Sequence, residues 1–134
     1  MLRTTASLLL LGGLVYAQNS TYSNVSSTAC PSPGGAHIIV ARGSNEKPGY
    51  GIEGAVKQYV LDHLPGSTAE ALDYTATISN YFNSEDGGIV AMRQAVNNYV
   101  NKCSACLPLV IIGFSQGAQV SVAWRQHCFL HPLC

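Results

Sequence analysis

Charge is scarce in this chain, and neither sign prevails. Asp, Glu, Lys and Arg make up 10% of the 134 residues, and the formal net charge at pH 7 is zero. No basic run occurs anywhere, with or without interspersed aromatic residues. Nucleic acids and anionic membrane surfaces attract basic patches, so we expect neither as a partner. The length suits a single small domain.

Long apolar runs are also missing, apart from a short one near the amino terminus. The apolar segment from Ser7 to Leu14 follows the positive Arg3 and precedes Val15-Tyr16-Ala17, a small-x-small cleavage site. This segment is too short to span a bilayer, and the pattern is typical of a secretory signal peptide. We therefore expect residues 1–17 to be removed and the product to be secreted as an extracellular protein with no membrane attachment.

Residues 18–35 are predicted to form a flexible N-terminal segment, and residues 36–134 the folded domain. Within the segment, Asn19 and Asn24 each begin an N-x-S/T sequence, the acceptor pattern for glycosylation. An unmodified polar segment fits the same residues equally well.

No metal-binding pattern accompanies the cysteines. There are five of them, namely Cys30, Cys103, Cys106, Cys128 and Cys134. In an oxidising compartment some should pair, and an odd count leaves at least one free or bonded to another chain. The C-x-x-C spacing at residues 103–106 has neither a second C-x-x-C nor a suitably spaced His pair. We therefore expect no zinc site and no other metal or cofactor.

Short apolar runs alternate with segments of helical periodicity. Strands are predicted over residues 36–41, 69–76 and 109–114. Helices are predicted from the apolar stripe Ile52, Ala55, Val56, Tyr59 and Val60, from the stripe that runs from Ile89 to Cys103, and over 116 to about 126. Strands separated by helices indicate an α/β fold with a parallel sheet and right-handed crossovers.

The third predicted strand runs directly into Gly113-Phe114-Ser115-Gln116-Gly117. A G-x-S-x-G sequence between a buried strand and a helix is typical of the nucleophile elbow of serine esterases. The sharp turn exposes the serine hydroxyl, and the flanking glycines leave room for neighbouring backbone. The pattern predicts Ser115 as a nucleophile and the backbone N–H of Gln116 as a donor to the oxyanion.

No Asp or Glu follows Ser115, although in this fold class the carboxylate and the histidine of a triad come after the serine. His127 lies twelve residues further along the same predicted helix, roughly 18 Å away and out of proton-transfer reach. His131 lies in a tail with no recognisable element to hold it. His37, within the first strand, and His63, at the end of the first helix, are interpreted as structural.

A second oxyanion donor is expected from the loop after an earlier strand. Arg42-Gly43-Ser44 occupies that place, and Ser44 offers both a backbone N–H and a hydroxyl. An ordinary loop serine fits this position equally well.

The segment from Gly49 to Gly54 also matches G-x-G-x-x-G, with Asp73 at a suitable distance for a dinucleotide-binding fingerprint. Two features count against that interpretation. Residues Arg42 to Pro48 separate the first glycine from its strand, and an exported protein rarely meets a soluble nicotinamide cofactor.

Together, several stretches resemble one family, the secreted and mostly fungal cutinases and acetylxylan esterases. The sequences from Ala36 to Ser44 and from Gly113 to Gln119 carry the likeness. Those from Pro48 to Gly51 and from Pro65 to Ala71 resemble the acetylxylan esterase branch more closely. The match runs from about Cys30 to Gln119 in the family's order and spacing.

The resemblance implies a compact, three-layer, cutinase-like α/β-hydrolase fold around a parallel sheet, with an exposed serine and no large lid. It matches Ser115 to the nucleophile and Ser44 and Gln116 to the oxyanion positions. The implied activity is hydrolysis of plant cell-wall esters through an acyl-enzyme. Acetyl groups on xylan are the first choice of substrate and cutin-type polyesters the second. We expect a monomer without a cofactor.

The resemblance also implies a disulfide from Cys30 to a cysteine before the elbow strand, and Cys103 fits the usual spacing better than Cys106. The likeness stops near Trp124, whereas family members continue with strands that carry the catalytic Asp and His. We therefore expect the domain to be incomplete at its C-terminal end. The alternative is a non-catalytic exported remnant of the fold.

Overall fold

A computed structural model describes residues 29–103 and 108–130 of the chain. Three strands form one sheet, β1 (His37–Ala41), β2 (Thr68–Ala71) and β3 (Leu109–Gly113), in the order β2-β1-β3. Both pairings are parallel, and Ala41 at the end of β1 lies opposite Gly113 at the end of β3. The parallel sheet predicted from the alternating pattern is confirmed.

Three α-helices accompany the sheet. A single 3₁₀ turn over Gly51–Glu53 leads into α1 (Gly54–His63), β2 is followed by α2 (Tyr81–Cys103), and β3 by α3 (Gln116–Leu130). None of the helices in the described ranges combines the length and apolar character needed to cross a membrane. The predicted signal peptide and the two glycosylation candidates, Asn19 and Asn24, lie outside the described residues.

The strand order distributes the helices over both faces of the sheet. The chain moves one way from β1 to β2 and the opposite way from β2 to β3, so right-handed crossovers place α1 and α2 on opposite faces. The main core lies on the α2 and α3 side, where buried residues from strands, loops and helices pack together: Ile39, Ala41, Leu72, Tyr74, Ala76, Met92, Val96 and Val120. The expected three-layer architecture is confirmed.

Strand β2 ends at Ala71, five residues before its predicted end at Ala76. The buried guanidinium of Arg42 explains the difference. It donates to the carbonyl oxygens of Leu72 at 3.3 Å and Thr75 at 3.5 Å, and also to that of Tyr74. Carbonyls bound to a side chain in this way are not available to a sheet ladder.

Helix α2 begins at Tyr81, eight residues before the apolar stripe that predicted it. Its first turns contain Gly87 and Gly88, which favour a loop in sequence terms. A Cβ on Gly88 would lie 2.7 Å from Cγ2 of Val120 and 2.9 Å from Cδ2 of Tyr74, so a glycine here lets α2 approach α3 and the core. Nothing lies within 4 Å of a Cβ built on Gly87.

Helix α1 turns a different face to the sheet from the one predicted. The expected apolar stripe is largely exposed, with Ile52 64% and Tyr59 63% accessible, and no α1 residue is fully buried. The partly buried positions are Gly54, Lys57, Val60 and Leu61, and of these only Val60 belongs to the predicted stripe. Because glycine and the stem of a lysine supply part of this contact, hydropathy alone did not reveal the face.

The disulfide joins Cys30 to Cys103, with a Cα–Cα distance of 5.2 Å and a sequence separation of 73 residues. It fastens the segment before β1 to the end of α2, and the pairing is the one that the family resemblance implied.

The adjacent glycines of α2 provide a matched test of helix packing. Gly88→Ala is expected to lower the free energy of unfolding by about 1–3 kcal/mol, because its methyl group overlaps Val120 and Tyr74. Gly87→Ala is expected to raise it by up to about 1 kcal/mol, because alanine favours the helix and meets nothing. Urea unfolding of both variants measures the two values, and equal effects would contradict the packing described.

The disulfide can be tested in the same way. Cys103→Ser is expected to cost about 2–5 kcal/mol in the free energy of unfolding, because a long loop is no longer closed in the unfolded chain. Cys106→Ser, which removes the other candidate thiol, serves as the control and should leave that free energy unchanged. A larger loss in the control would assign the bridge to Cys106.

Candidate active site

The carboxyl ends of β1 and β3 form the edge at which a site is expected. These strands are neighbours, and the chain leaves β1 toward α1 on one face and β3 toward α3 on the other. Such a reversal between adjacent parallel strands opens a crevice where ligands bind in α/β sheets. The loop after β1 and the turn after β3 both border it.

The turn after β3 has the geometry of a nucleophile elbow. Ser115 is exposed and has a φ of 52°, in the left-handed region that is strained for a residue with a side chain. A Cβ on Gly113 would lie 2.4 Å from the carbonyl oxygen of Gly117, and one on Gly117 would lie 2.0 Å from that of Ala41. Only glycines at both places permit so tight a turn against β1.

The loop that carries Ser44 lies against this turn. Gly43 faces Phe114, since a Cβ on Gly43 would be 2.7 Å from Cδ1 of that ring, and the N–H of Phe114 donates to the carbonyl of Ala41 at 3.2 Å. The Oγ atom of Ser44 is buried and has no hydrogen-bond partner among the residues that the structure describes. Buried polar groups are rarely left unpaired, so this hydroxyl calls for an explanation.

Gln116 is the first residue of α3, where backbone N–H groups have no partner within the helix. Its side chain is fully buried and faces the segment before α2. The Nε2 group donates to the carbonyl of Tyr81 at 3.1 Å and to that of Thr77 at 3.4 Å. The side chain therefore holds the elbow to residues 77–81, while the backbone N–H stays at the start of the helix.

Ser84 completes this network, and the sequence analysis missed it. Its hydroxyl donates to Oε1 of Gln116 at 3.2 Å and accepts from the N–H of Thr77 at 3.1 Å and from Oγ1 of Thr75 at 2.9 Å. Helical periodicity could have predicted that Ser84 is buried, because it continues the buried stripe of Val96, Met92 and Gly88 by one more turn.

Arg42 and Tyr74 contact each other and the loop after β1, at the edge of the sheet where the site is expected. Arg42 is 3% exposed, its Nε donates to the carbonyl of Glu46 at 3.2 Å, and its guanidinium lies 5.2 Å from the centre of the Tyr74 ring. The hydroxyl of Tyr74 donates in return to the carbonyl of Arg42. Burial raises the pKa of Tyr74 to about 12, although the nearby arginine lowers it, so the hydroxyl keeps its proton at neutral pH.

Neither of the two histidines with described side chains lies in the crevice. His37 is buried at the opposite end of β1, about 13 Å from Ala41 at strand spacing. Its Nδ1 is 2.7 Å from Oγ1 of Thr68, and its ring stacks on Tyr99 at 4.6 Å. Its Nε2 lies 3.4 Å from Oε1 of Glu70, a separation suited to an ion pair but too imperfectly aligned for a hydrogen bond.

His63 ends α1, where its Nδ1 lies 2.8 Å from the carbonyl of Tyr59 and its ring stacks on that residue. The backbone of α3 is helical through His127. The rise of roughly 1.5 Å per residue that gave about 18 Å between His127 and Ser115 therefore applies. The other candidate base, His131, lies outside the described residues. The structure thus brings the loop of Ser44 to the Ser115–Gln116 turn, without a base from the described histidines.

The glycine-rich segment forms no phosphate-binding loop at a strand end. Nine residues separate Ala41 at the end of β1 from Gly51 at the start of the 3₁₀ turn. A Cβ on Gly51 would lie 2.3 Å from Oε2 of Glu46, so this glycine is explained by contact with a carboxylate. Within the described ranges no three His, Cys, Asp or Glu residues cluster as metal ligands would.

Comparison with known proteins gives one consistent result. The cutinase family model matches residues 29–127. Acetylxylan esterase 2 of Talaromyces purpureogenus is 34% identical over 122 residues, which cover 86% of this chain and 49% of the relative. Cutinase 11 of Verticillium dahliae is 34% identical over 126 residues, covering 89% and 40%. The chain thus spans half or less of the length of these curated relatives.

Comparison with solved structures agrees with the match to the cutinase family model. The catalytic core domain of acetyl xylan esterase from Trichoderma reesei superposes with a TM-score of 0.63 at 35% identity, covering 69% of this chain and 47% of that one. A cutinase-like protein from Cryptococcus sp. superposes with a TM-score of 0.61 at 24% identity, covering 74% and 47%, and shows likeness of fold.

The network around Gln116 can be tested through Ser84. Ser84→Ala leaves Oε1 of Gln116 and the N–H of Thr77 without their buried partner, so the free energy of unfolding should fall by about 1–3 kcal/mol. Ser79→Ala removes an exposed hydroxyl from the same region and should change it by less than about 0.5 kcal/mol. Chemical denaturation compares the two variants, and similar losses would contradict the role given to Ser84.

Proposed function

The chain belongs to the cutinase family, and from that membership we propose that it is a secreted serine carboxylic-ester hydrolase. One observation carries the proposal. An exposed serine in strained geometry, Ser115, follows a strand whose neighbour leads to Ser44, a serine whose buried hydroxyl has no hydrogen-bond partner among the described residues. Strain and unsatisfied polar groups cost free energy, and they are found together where chemistry makes use of them.

In the proposed reaction, Oγ of Ser115 bonds to the carbonyl carbon of an ester, and the carbonyl oxygen becomes an oxyanion. The backbone N–H of Gln116 and the N–H and hydroxyl of Ser44 stabilise that charge. The C–O bond to the alcohol then breaks, and the alcohol leaves with a proton. Water attacks the acyl-enzyme and releases the acid, which restores the serine.

The serine proton must pass to a base before it reaches the leaving alcohol. The described histidine side chains bond to Thr68 and to the carbonyl of Tyr59, so the described residues do not provide the proposed base. The lack of a base among the described residues also supports the second candidate function, a non-catalytic remnant of the fold that retains the elbow without proton transfer.

We propose acetyl groups on plant cell-wall xylan as substrates, with cutin-type polyesters as the second choice. Relatives of similar identity are named acetylxylan esterase and cutinase, which supports both choices. The exposed position of Ser115 suits a substrate that is part of a polymer. A disulfide between Cys30 and Cys103 fits an oxidising, extracellular location, and residues 1–17 would direct export.

A fluorophosphonate probe tests the nucleophile directly, because it reacts with activated serines irrespective of the ester preferred. Wild-type protein is expected to gain one adduct, mapped to Ser115 by mass spectrometry, and to hydrolyse p-nitrophenyl acetate. Ser115→Ala should abolish the adduct and lower hydrolysis by at least about a thousandfold. Ser121→Ala, which alters a serine of α3 six residues after Ser115, should retain both.

A wild-type chain that remains unlabelled and hydrolyses the ester no faster than Ser115→Ala would leave the non-catalytic remnant as the function. An adduct on another serine would refute the role of Ser115 but not the class of enzyme.

A further inference from the structure

We infer that Glu46 is a positioning residue for the oxyanion side of this site, an inference that rests on the proposed function. Its carboxylate binds the loop at two places. Oε2 accepts the backbone N–H of Gly43 at 2.6 Å, and Oε1 accepts that of Ile52 at 2.8 Å. One side chain thus joins both ends of the loop that carries Ser44.

The loop is shaped around this carboxylate. Gly51 has a φ of 56°, and a Cβ there would lie 2.3 Å from Oε2 and 2.7 Å from the carboxyl carbon of Glu46. A Cβ on Gly43 would lie 3.3 Å from the same Oε2. Glycines on both sides of the carboxylate are needed for it to reach the two N–H groups.

The consequence falls on Ser44. The residue before it is held by Glu46, and the residue after it, Asn45, donates its N–H to the carbonyl of Ala76 at 2.6 Å. The backbone is therefore fixed on both sides, while the hydroxyl of Ser44 has no partner among the described residues. A donor that is fixed in place and free of other bonds stabilises a developing oxyanion without a cost of reorganisation.

An ionised carboxylate suits this role because it only accepts hydrogen bonds. In Glu46→Gln one acceptor oxygen remains, and the amide NH₂ replaces the other. That NH₂ group then faces the backbone N–H of either Gly43 or Ile52. Both of the facing groups are donors, so they form no hydrogen bond. The substitution keeps the size of the side chain and breaks one of its two bonds.

The test compares Glu46→Gln with Glu53→Gln in phosphonylation by a fluorophosphonate. In this step Oγ of Ser115 bonds to phosphorus, the P–F bond breaks, fluoride and the hydroxyl proton leave as HF, and the phosphoryl oxygen takes the place of the oxyanion. Glu46→Gln should lower the limiting rate kinact about tenfold to a hundredfold and change the half-saturating concentration KI less than twofold. Glu53→Gln, which removes the same charge from the 3₁₀ turn where no side-chain cap bond is made, should change neither.

Amide hydrogen exchange provides the second measurement. In Glu46→Gln the N–H that loses its acceptor, that of Gly43 or that of Ile52, should exchange at least about tenfold faster than in the wild type, while those of β1 remain protected. Faster exchange with an unchanged kinact would show a carboxylate that only stabilises the loop, and would overturn the positioning role. Unchanged exchange at both amides would overturn the inference altogether.

The same experiment distinguishes a failure of the proposed function from a failure of the role of Glu46. If the wild type is not labelled, Ser115 is not an activated nucleophile and Glu46 positions nothing for catalysis, whatever the exchange rates are. If the wild type is labelled and Glu46→Gln matches it in kinact, the function stands and only the role of Glu46 is refuted.

Discussion

Backbone contact between the end of β1 and the turn after β3 is the constraint on which the site depends. The N–H of Phe114 donates to the carbonyl of Ala41, and a Cβ on Gly117 would lie 2.0 Å from that oxygen and 2.6 Å from the carbonyl oxygen of Arg42. Any side chain at position 117 would push the turn away from β1. The turn holds Ser115 and the β1 loop holds Ser44, so the close approach of the two segments requires a glycine at position 117.

A buried cation organises the loops on the other side of β1. Arg42 follows β1 directly, and it binds carbonyl oxygens of the segment after β2 and the carbonyl of Glu46 in its own loop. An arginine this deeply buried needs many acceptors, and its planar guanidinium offers five donors in fixed directions. The segment after β2 is thereby drawn under the loop of Ser44 and leaves the sheet early, which brings the approach to α2 next to Gln116.

The parts of the molecule that sequence reasoning predicted are local ones. The elbow is a contiguous pentapeptide, and each strand is a short apolar run or half of one, so neither needs knowledge of distant residues. Ser84 and the inward face of α1 escaped prediction because their roles arise between segments far apart in sequence. The start of α2 was predicted too late for the same reason, since Gly88 favours a loop by propensity yet allows close packing with Val120. Glu46 binds residues three and six positions away, but in an irregular loop whose conformation no sequence periodicity reveals.

The two halves of the proposed chemistry have different structural requirements. Stabilising an oxyanion needs fixed donors, and in the proposed mechanism Ser44, beside the Gly43 that Glu46 holds, and the start of α3 would provide them. Moving a proton needs a base, and the described histidine side chains do not supply one. In serine hydrolases stripped of triad members, roughly 10³–10⁴-fold acceleration over water remains, which comes from the oxyanion hole and binding. A site with donors alone is therefore expected to accelerate ester hydrolysis slightly even without attack by the serine, so it is proton transfer that decides whether Ser115 acts as a nucleophile.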